Sequence, residues 1–109
     1  DVGGGTSFSP FHTMLAAYYA GREGQTKPGL SLKPSRLWWL HTGGAARALG
    51  LEGVIGTLQP GSEADFVLLD PKATPLLARK TERAQNLEEL LFALIVLGDD
   101  RVVDQVVIA

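Results

Sequence analysis

Strand is the scarce element in this sequence, and that scarcity constrains the fold more than any other feature. Only two stretches read as strand. Phe66-Val67-Leu68-Leu69 is a short, wholly apolar run that Asp70-Pro71 ends; Val102-Val103 with Val106-Val107-Ile108 forms a second. Two strands make a poor sheet on their own. They need partners that these 109 residues do not supply.

Three helices are read beside these strands. Ser9 can cap and Pro10 suits a first helical position. Phe11, Met14, Leu15, Tyr18 and Tyr19 then fall on one helical face, and Gly21 is the expected stop. Residues 21–33 read as a polar loop. A second helix is predicted from Pro34 to Leu49, with Gly50 as its C-cap. Gly43-Gly44 inside it costs about 1 kcal/mol per glycine relative to alanine, a cost offset where backbones pack closely. Residues 71–85 read as an irregular connection. A third helix starts at Asn86, with Glu89 placed for a capping-box-like start. Its face is Leu87, Leu90, Leu91, Leu94 and Ile95, and Gly98 ends it. The expected fold class is therefore α+β.

Composition limits the function. Hydrophobic residues make up 45% and charged residues 20%, enough to bury a core. A net charge of −2 gives no reason to expect nucleic acid or an anionic membrane as partner. The longest apolar stretch, Leu87 to Leu97, contains two glutamates and is too short to span a bilayer. With no cysteine, disulfides and thiolate zinc sites are excluded, and a reducing cytoplasm is compatible.

Candidate chemistry is sparse. Gly3-Gly4-Gly5 precedes a helix, but Phe8 stands where a dinucleotide fingerprint needs its third glycine, and no lysine completes a P-loop. The plain reading is a tight turn. His12, in the first turn of a helix, reads as solvated, and His41, beside the tryptophans, as packed or half-exposed. Neither sits in a metal-binding spacing. Thr6, Ser7 and Ser9 lack the elbow of a serine hydrolase. Trp38 and Trp39 are adjacent, so they point about 100° apart and read as core and rim. Asp1 remains. An acid before three glycines reads as a strand end turning over a site, the edge where (β/α) barrels carry catalytic groups. A chain that opens this way is expected to be part of a longer one.

One segment points further. Ile55-Gly56-Thr57-Leu58-Gln59-Pro60-Gly61-Ser62-Glu63-Ala64-Asp65-Phe66-Val67-Leu68-Leu69-Asp70 resembles the G-x-L-x-P-G-x-x-A-D-hydrophobic-D segment of the amidohydrolase superfamily. Thr42 to Leu51 resembles the helix that precedes it there. Asp1 to Ser9 is similar to the loop after the eighth barrel strand in the guanine deaminase family, and Leu87 to Arg101 to its closing helix and turn. The resemblance spans essentially the whole chain and matches about the last quarter of such an enzyme.

The resemblance implies a role and an architecture. Residues 1–50 would close a TIM-like (β/α)8 barrel, and residues 51–109 would be part of a small composite β-sandwich with a helix at about 86–97. The parent would hydrolyse guanine to xanthine and ammonia with one zinc. Asp1 would be both a metal ligand and the catalytic proton carrier. The other ligands would lie upstream, so this segment alone would hold no zinc and be inactive. Its uncovered strand edges would favour a homo-oligomer or a domain with rearranged contacts. Two alternatives stay open: another amidohydrolase deaminase or chlorohydrolase, and a non-catalytic assembly module.

Overall fold

A computed structural model describes residues 3–5, 7–23 and 30–109. Five helices and two strands follow in the order α1 (Pro10–Arg22), α2 (Pro34–Leu40), α3 (Gly43–Ala48), β1 (Phe66–Leu69), α4 (Pro75–Thr81), α5 (Leu87–Leu97) and β2 (Val103–Val107). A single 3-10 turn, Asp100–Val102, leads into β2. The fold is a small α+β arrangement.

Helix α5 is the centre of it. Its sequence, LEELLFALIVL, is apolar on nearly every side after the first turn, as befits a helix surrounded by others. It packs against α1, α2 and α4. Asn86 caps it, its Oδ1 accepting the Glu89 N–H at 3.0 Å, while Glu89 Oε2 accepts the Gln85 N–H at 3.0 Å. The expected capping box is therefore present, closed on the residue before the cap. Leu87 lies at the edge and is exposed, whereas Ala93, Leu94 and Ile95 are buried.

Two buried clusters meet along this helix. Phe11, Leu77, Ala93, Leu94 and Val102 form one; Met14, Leu37 and Ile95 form the other. Trp38 packs against both. Its ring meets Phe11 edge-on at 5.8 Å, and its Nε1–H donates to the Leu91 carbonyl at 3.3 Å. Each cluster draws on residues from both sides of position 50, so α1 and α2 share their buried contacts with α5.

The strands pair antiparallel as a two-stranded ribbon, with Phe66 opposite Val107 and Val67 opposite Val106. An irregularity between Leu68 and Leu69 shifts the register, so that Leu69 faces Val103.

Four local expectations are corrected. Helix α1 does not stop at Gly21 but runs to Arg22. Gly21 sits inside the last turn, where a β-carbon would come within 3.3 Å of the Leu30 carbonyl. The helix expected over 34–49 is two helices. Thr42 leaves the helical region at φ −127°, ψ −104°, and its hydroxyl donates to the Trp38 carbonyl at 3.0 Å. Gly44 then lies so close to Trp39 that a β-carbon would fall 2.8 Å from the indole. The paired glycines thus mark a break packed on a ring. The connection over 71–85 contains α4, which Thr74 caps by accepting the Leu77 N–H at 3.3 Å, with Pro75 at the first helical position. Val102 belongs to the 3-10 turn and is fully buried rather than part of a strand. The Gly50 C-cap is as expected: its N–H reaches Arg47 O and the Leu51 N–H reaches Ala46 O, a Schellman arrangement.

The start of α2 is tied to α5 by Ser35. Its N–H donates to Glu88 Oε2 at 2.9 Å and its hydroxyl donates to Glu88 Oε1. These bonds hold the Glu88 carboxyl below the usual carboxylate range. A folded value below the unfolded one means that the interaction is fully present above about pH 4.3 and is lost as pH falls through the folded value. Ser35→Ala is expected to raise the Glu88 midpoint toward the ordinary range, read by NMR titration of the side-chain carboxyl carbon. An unchanged midpoint would mean that Ser35 is not its cause.

Candidate functional site: an apolar groove beside the ribbon

Among the described residues a groove of about 1040 Å³ lies beside the ribbon. The start of α1 forms one wall through Phe8, Phe11 and Met14. The end of α2 supplies Trp38, His41 and Thr42. The turn at Gly56–Leu58, residues Phe66, Val67 and Leu69, and residues Gly98–Asp100 with Val103 complete it. Local rules bring these pieces together. Pro10 starts α1 two residues after Phe8, and Gly98 ends α5 with no side chain, which lets the Phe11 ring approach to 3.3 Å of where a β-carbon would stand.

The segment from Gly56 to Asp70 depends on two glycines. Pro60-Gly61 is a type II turn, with Gly61 at φ +94° and the Ser62 N–H on the Gln59 carbonyl at 3.1 Å. Gly56 has φ +75°, and a β-carbon there would lie 2.8 Å from the Thr42 carbonyl oxygen and 3.0 Å from Ala46 Cβ. This contact presses the turn against the break between α2 and α3 and so fixes one rim of the groove.

The polar groups of the groove are mostly committed. Asp99 accepts from Arg101 at 2.6 and 3.0 Å, and this partner holds its carboxyl below the usual range. Asp65 Oδ1 accepts the Ala109 N–H at 2.9 Å. His41 places Nδ1 3.0 Å from the Leu37 carbonyl, an acceptor to which an Nδ1–H can donate. His41 is exposed at the rim rather than packed or half-exposed in the core, because Trp38 takes the inner position. His12 is exposed, as expected. Trp39 lies at the surface with Arg36 stacked 4.0 Å from its ring, which agrees with core and rim roles for the two indoles.

Among the described residues no three His, Cys, Asp or Glu side chains gather to hold a metal ion. These residues by themselves do not fit a zinc centre. Asp1, the residue singled out by the sequence, lies outside the described residues. Gly3 and Gly4, which follow it closely, form an exposed turn. No described helix is long and apolar enough to cross a membrane. The groove itself was not foreseen; its walls come from five separated stretches, and no local pattern announces it.

Comparison with known proteins gives a consistent result. The profile of the Amidohydrolase family matches residues 1–108. Guanine deaminase of Escherichia coli is 39% identical over 101 residues, covering 93% of this chain and 22% of that protein. A probable guanine deaminase of Deinococcus radiodurans is 40% identical over 106 residues, covering 97% and 24%. Among solved structures, E. coli guanine deaminase superposes with a TM-score of 0.90 at 36% identity, over 99% of this chain and 24% of that one. Guanine deaminase from Bradyrhizobium japonicum gives 0.78 at 32% identity, over 99% and 28%. The chain thus spans about a quarter of the length of the relatives it matches.

Gly53 and Gly56 separate two effects of an added methyl group. Both have positive φ, but Gly53 faces open space. Gly53→Ala is expected to cost about 1–2 kcal/mol from backbone strain alone. Gly56→Ala adds a collision with Thr42 and is expected to cost about 2–5 kcal/mol. Urea unfolding of the two variants measures the difference; equal losses would mean that the Gly56–Thr42 contact does not matter.

Proposed function

The chain belongs to the amidohydrolase family, and from that premise we propose that it is the closing quarter of a zinc-dependent guanine deaminase. The observation that carries this reading is the agreement of two measures on one protein: 39% identity and a TM-score of 0.90 to E. coli guanine deaminase. In this reading residues 1–50 complete a TIM-like barrel and residues 51–109 belong to a composite β-sandwich. The shared core across position 50 would make the two parts a rigid joint.

The proposed reaction is hydrolytic. Water adds its oxygen to the guanine carbon bearing the exocyclic amine. The carbon–nitrogen bond then breaks, and the released amine leaves as ammonia, with xanthine as the other product. The water must lose a proton and the leaving nitrogen must gain one. A carboxylate at the rim of the site can carry that proton between them. We assign this task to Asp1, which would also be one ligand of the parent's zinc. The described residues do not form a metal site, so the remaining ligands and the guanine contacts would come from elsewhere in the longer protein. The 109 residues alone would then be inactive. They would also tend to self-associate through the uncovered ribbon. The cysteine-free sequence is compatible with a cytoplasmic enzyme.

Steady-state assay of the longer protein on guanine, adenine and cytosine tests the reading, with ammonia and xanthine as products to be measured. Turnover of guanine is expected. Inactivity on guanine with turnover of another ring would sink it in favour of a different amidohydrolase. In the longer protein, Asp1→Asn is expected to lower kcat by at least roughly two to three orders of magnitude. Near-normal turnover would show that Asp1 has neither role.

A further inference from the structure

Helix α4 carries a face that the core does not use. Leu77 is fully buried in the first cluster. Leu76, Arg79 and Lys80 follow the i, i+3, i+4 spacing of one helical face. Arg83 continues it at i+7, in the turn after the helix, where its N–H donates to the Lys80 carbonyl at 3.2 Å. All four are exposed, Leu76 at 64%. Among the described residues the ion pairs are Arg47–Glu52 and Arg101–Asp99, and the three cations enter neither. The charge is concentrated here: residues 71–86 hold four cations and one anion, in a chain whose net charge is −2.

Arg79 and Lys80 lie in the last turn of α4, where cations complement the helix dipole. That effect asks for neither Leu76, at the other end of the stripe, nor Arg83, beyond the helix. Three charges on one face are costly to bury, so the stripe stays on the outside of a longer protein, unlike the apolar ribbon. A short helix with one leucine on this face lacks the apolar side of a membrane-surface helix. The stripe holds no aromatic ring on which a base could stack.

We propose that the stripe is a docking site for a short acidic segment of another protein, with carboxylates on Arg79, Lys80 and Arg83 and an apolar side chain on Leu76. Charge complementarity selects this occupant, and the arginine fork matches a carboxylate in geometry. Leu76 and Arg83 lie about 10 Å apart along the helix axis. An extended segment covers that length with about three residues. Such a contact is small and belongs to the transient class. It is independent of the reaction that the longer protein catalyses.

Methyl NMR of the longer protein tests it, with the Leu76 methyl groups as reporters and the acetylated, amidated peptide Glu-Glu-Leu-Glu-Glu-Leu-Glu-Glu as probe. A saturable shift of the Leu76 methyls is expected, with a Kd of roughly 0.1–1 mM at low salt. The peptide with glutamine for every glutamate is expected to bind at least roughly tenfold more weakly, as is the probe to Arg79→Glu/Arg83→Glu and to the milder Arg79→Gln/Arg83→Gln. Arg47→Glu, away from the stripe, is expected to change the Kd less than about twofold. Several results overturn the proposal: Leu76 methyls that a soluble gadolinium chelate does not broaden, which would mean that the longer protein covers them; no shift at several millimolar peptide; equal binding of the glutamine peptide; or an equal loss in Arg47→Glu. Tighter binding of duplex DNA or of phosphatidylserine vesicles would make the occupant a nucleic acid or a membrane. A Leu76 shift that follows protein concentration without peptide would make it a second copy.

Discussion

The wedge of Trp38 against α5 is the interaction on which the rest of the structure depends. The indole lies between the Phe11–Leu77–Val102 cluster and the Met14–Leu37–Ile95 cluster, and its N–H is satisfied by the Leu91 carbonyl. A tryptophan can fill such a joint only if its polar edge finds a partner, because a buried unpaired donor costs about 1–3 kcal/mol. Leu91 supplies one from the helix that both clusters share. Through this contact the helices of the first half and the helices of the second half rest on the same support.

The arrangement has a consequence for the surfaces. Helix α5 satisfies α1, α2 and α4, and only part of one ribbon face reaches the core, through Leu69. The ribbon is therefore positioned by the helices but not covered by them. The groove is the gap that results. Its rim is set by backbone contacts, the Gly56–Thr42 approach and the close passage of Phe11 over Gly98, rather than by charged or catalytic groups. That suits a rigid surface for receiving other parts of a protein.

Much of this was legible in the sequence where the signal was local. The faces of α1 and α5, apart from Tyr19 and Leu87, which are exposed, the Asn86 start, the Gly50 cap and the strand at 66–69 follow from spacing and capping chemistry. The misses share a physical origin. Gly21 and Gly43-Gly44 read as stops or strain, but their meaning lies in what packs against them, the Leu30 carbonyl and the Trp39 ring. Helix α4 was hidden by its shortness, although Thr74-Pro75 and the basic residues near Thr81 are start and stop signals. Val102 looked like strand because it is β-branched and apolar; its full burial beneath α5 draws it into a 3-10 turn instead. At the site, the family could be read from the Gly56–Asp70 segment, whose two glycines have strict backbone demands. The groove could not, since residues 8–14, 38–42, 56–58, 66–69 and 98–103 meet only in three dimensions.

The central claim is that one core, built on α5 and Trp38, unites the residues on both sides of position 50. Native-state amide hydrogen exchange of the 109-residue chain in low denaturant tests it most directly. The slowest amides of α1, α2 and α5 should share a single opening free energy and respond to denaturant together. A separate, lower-energy opening that releases α1 and α2 while α5 stays protected would contradict it.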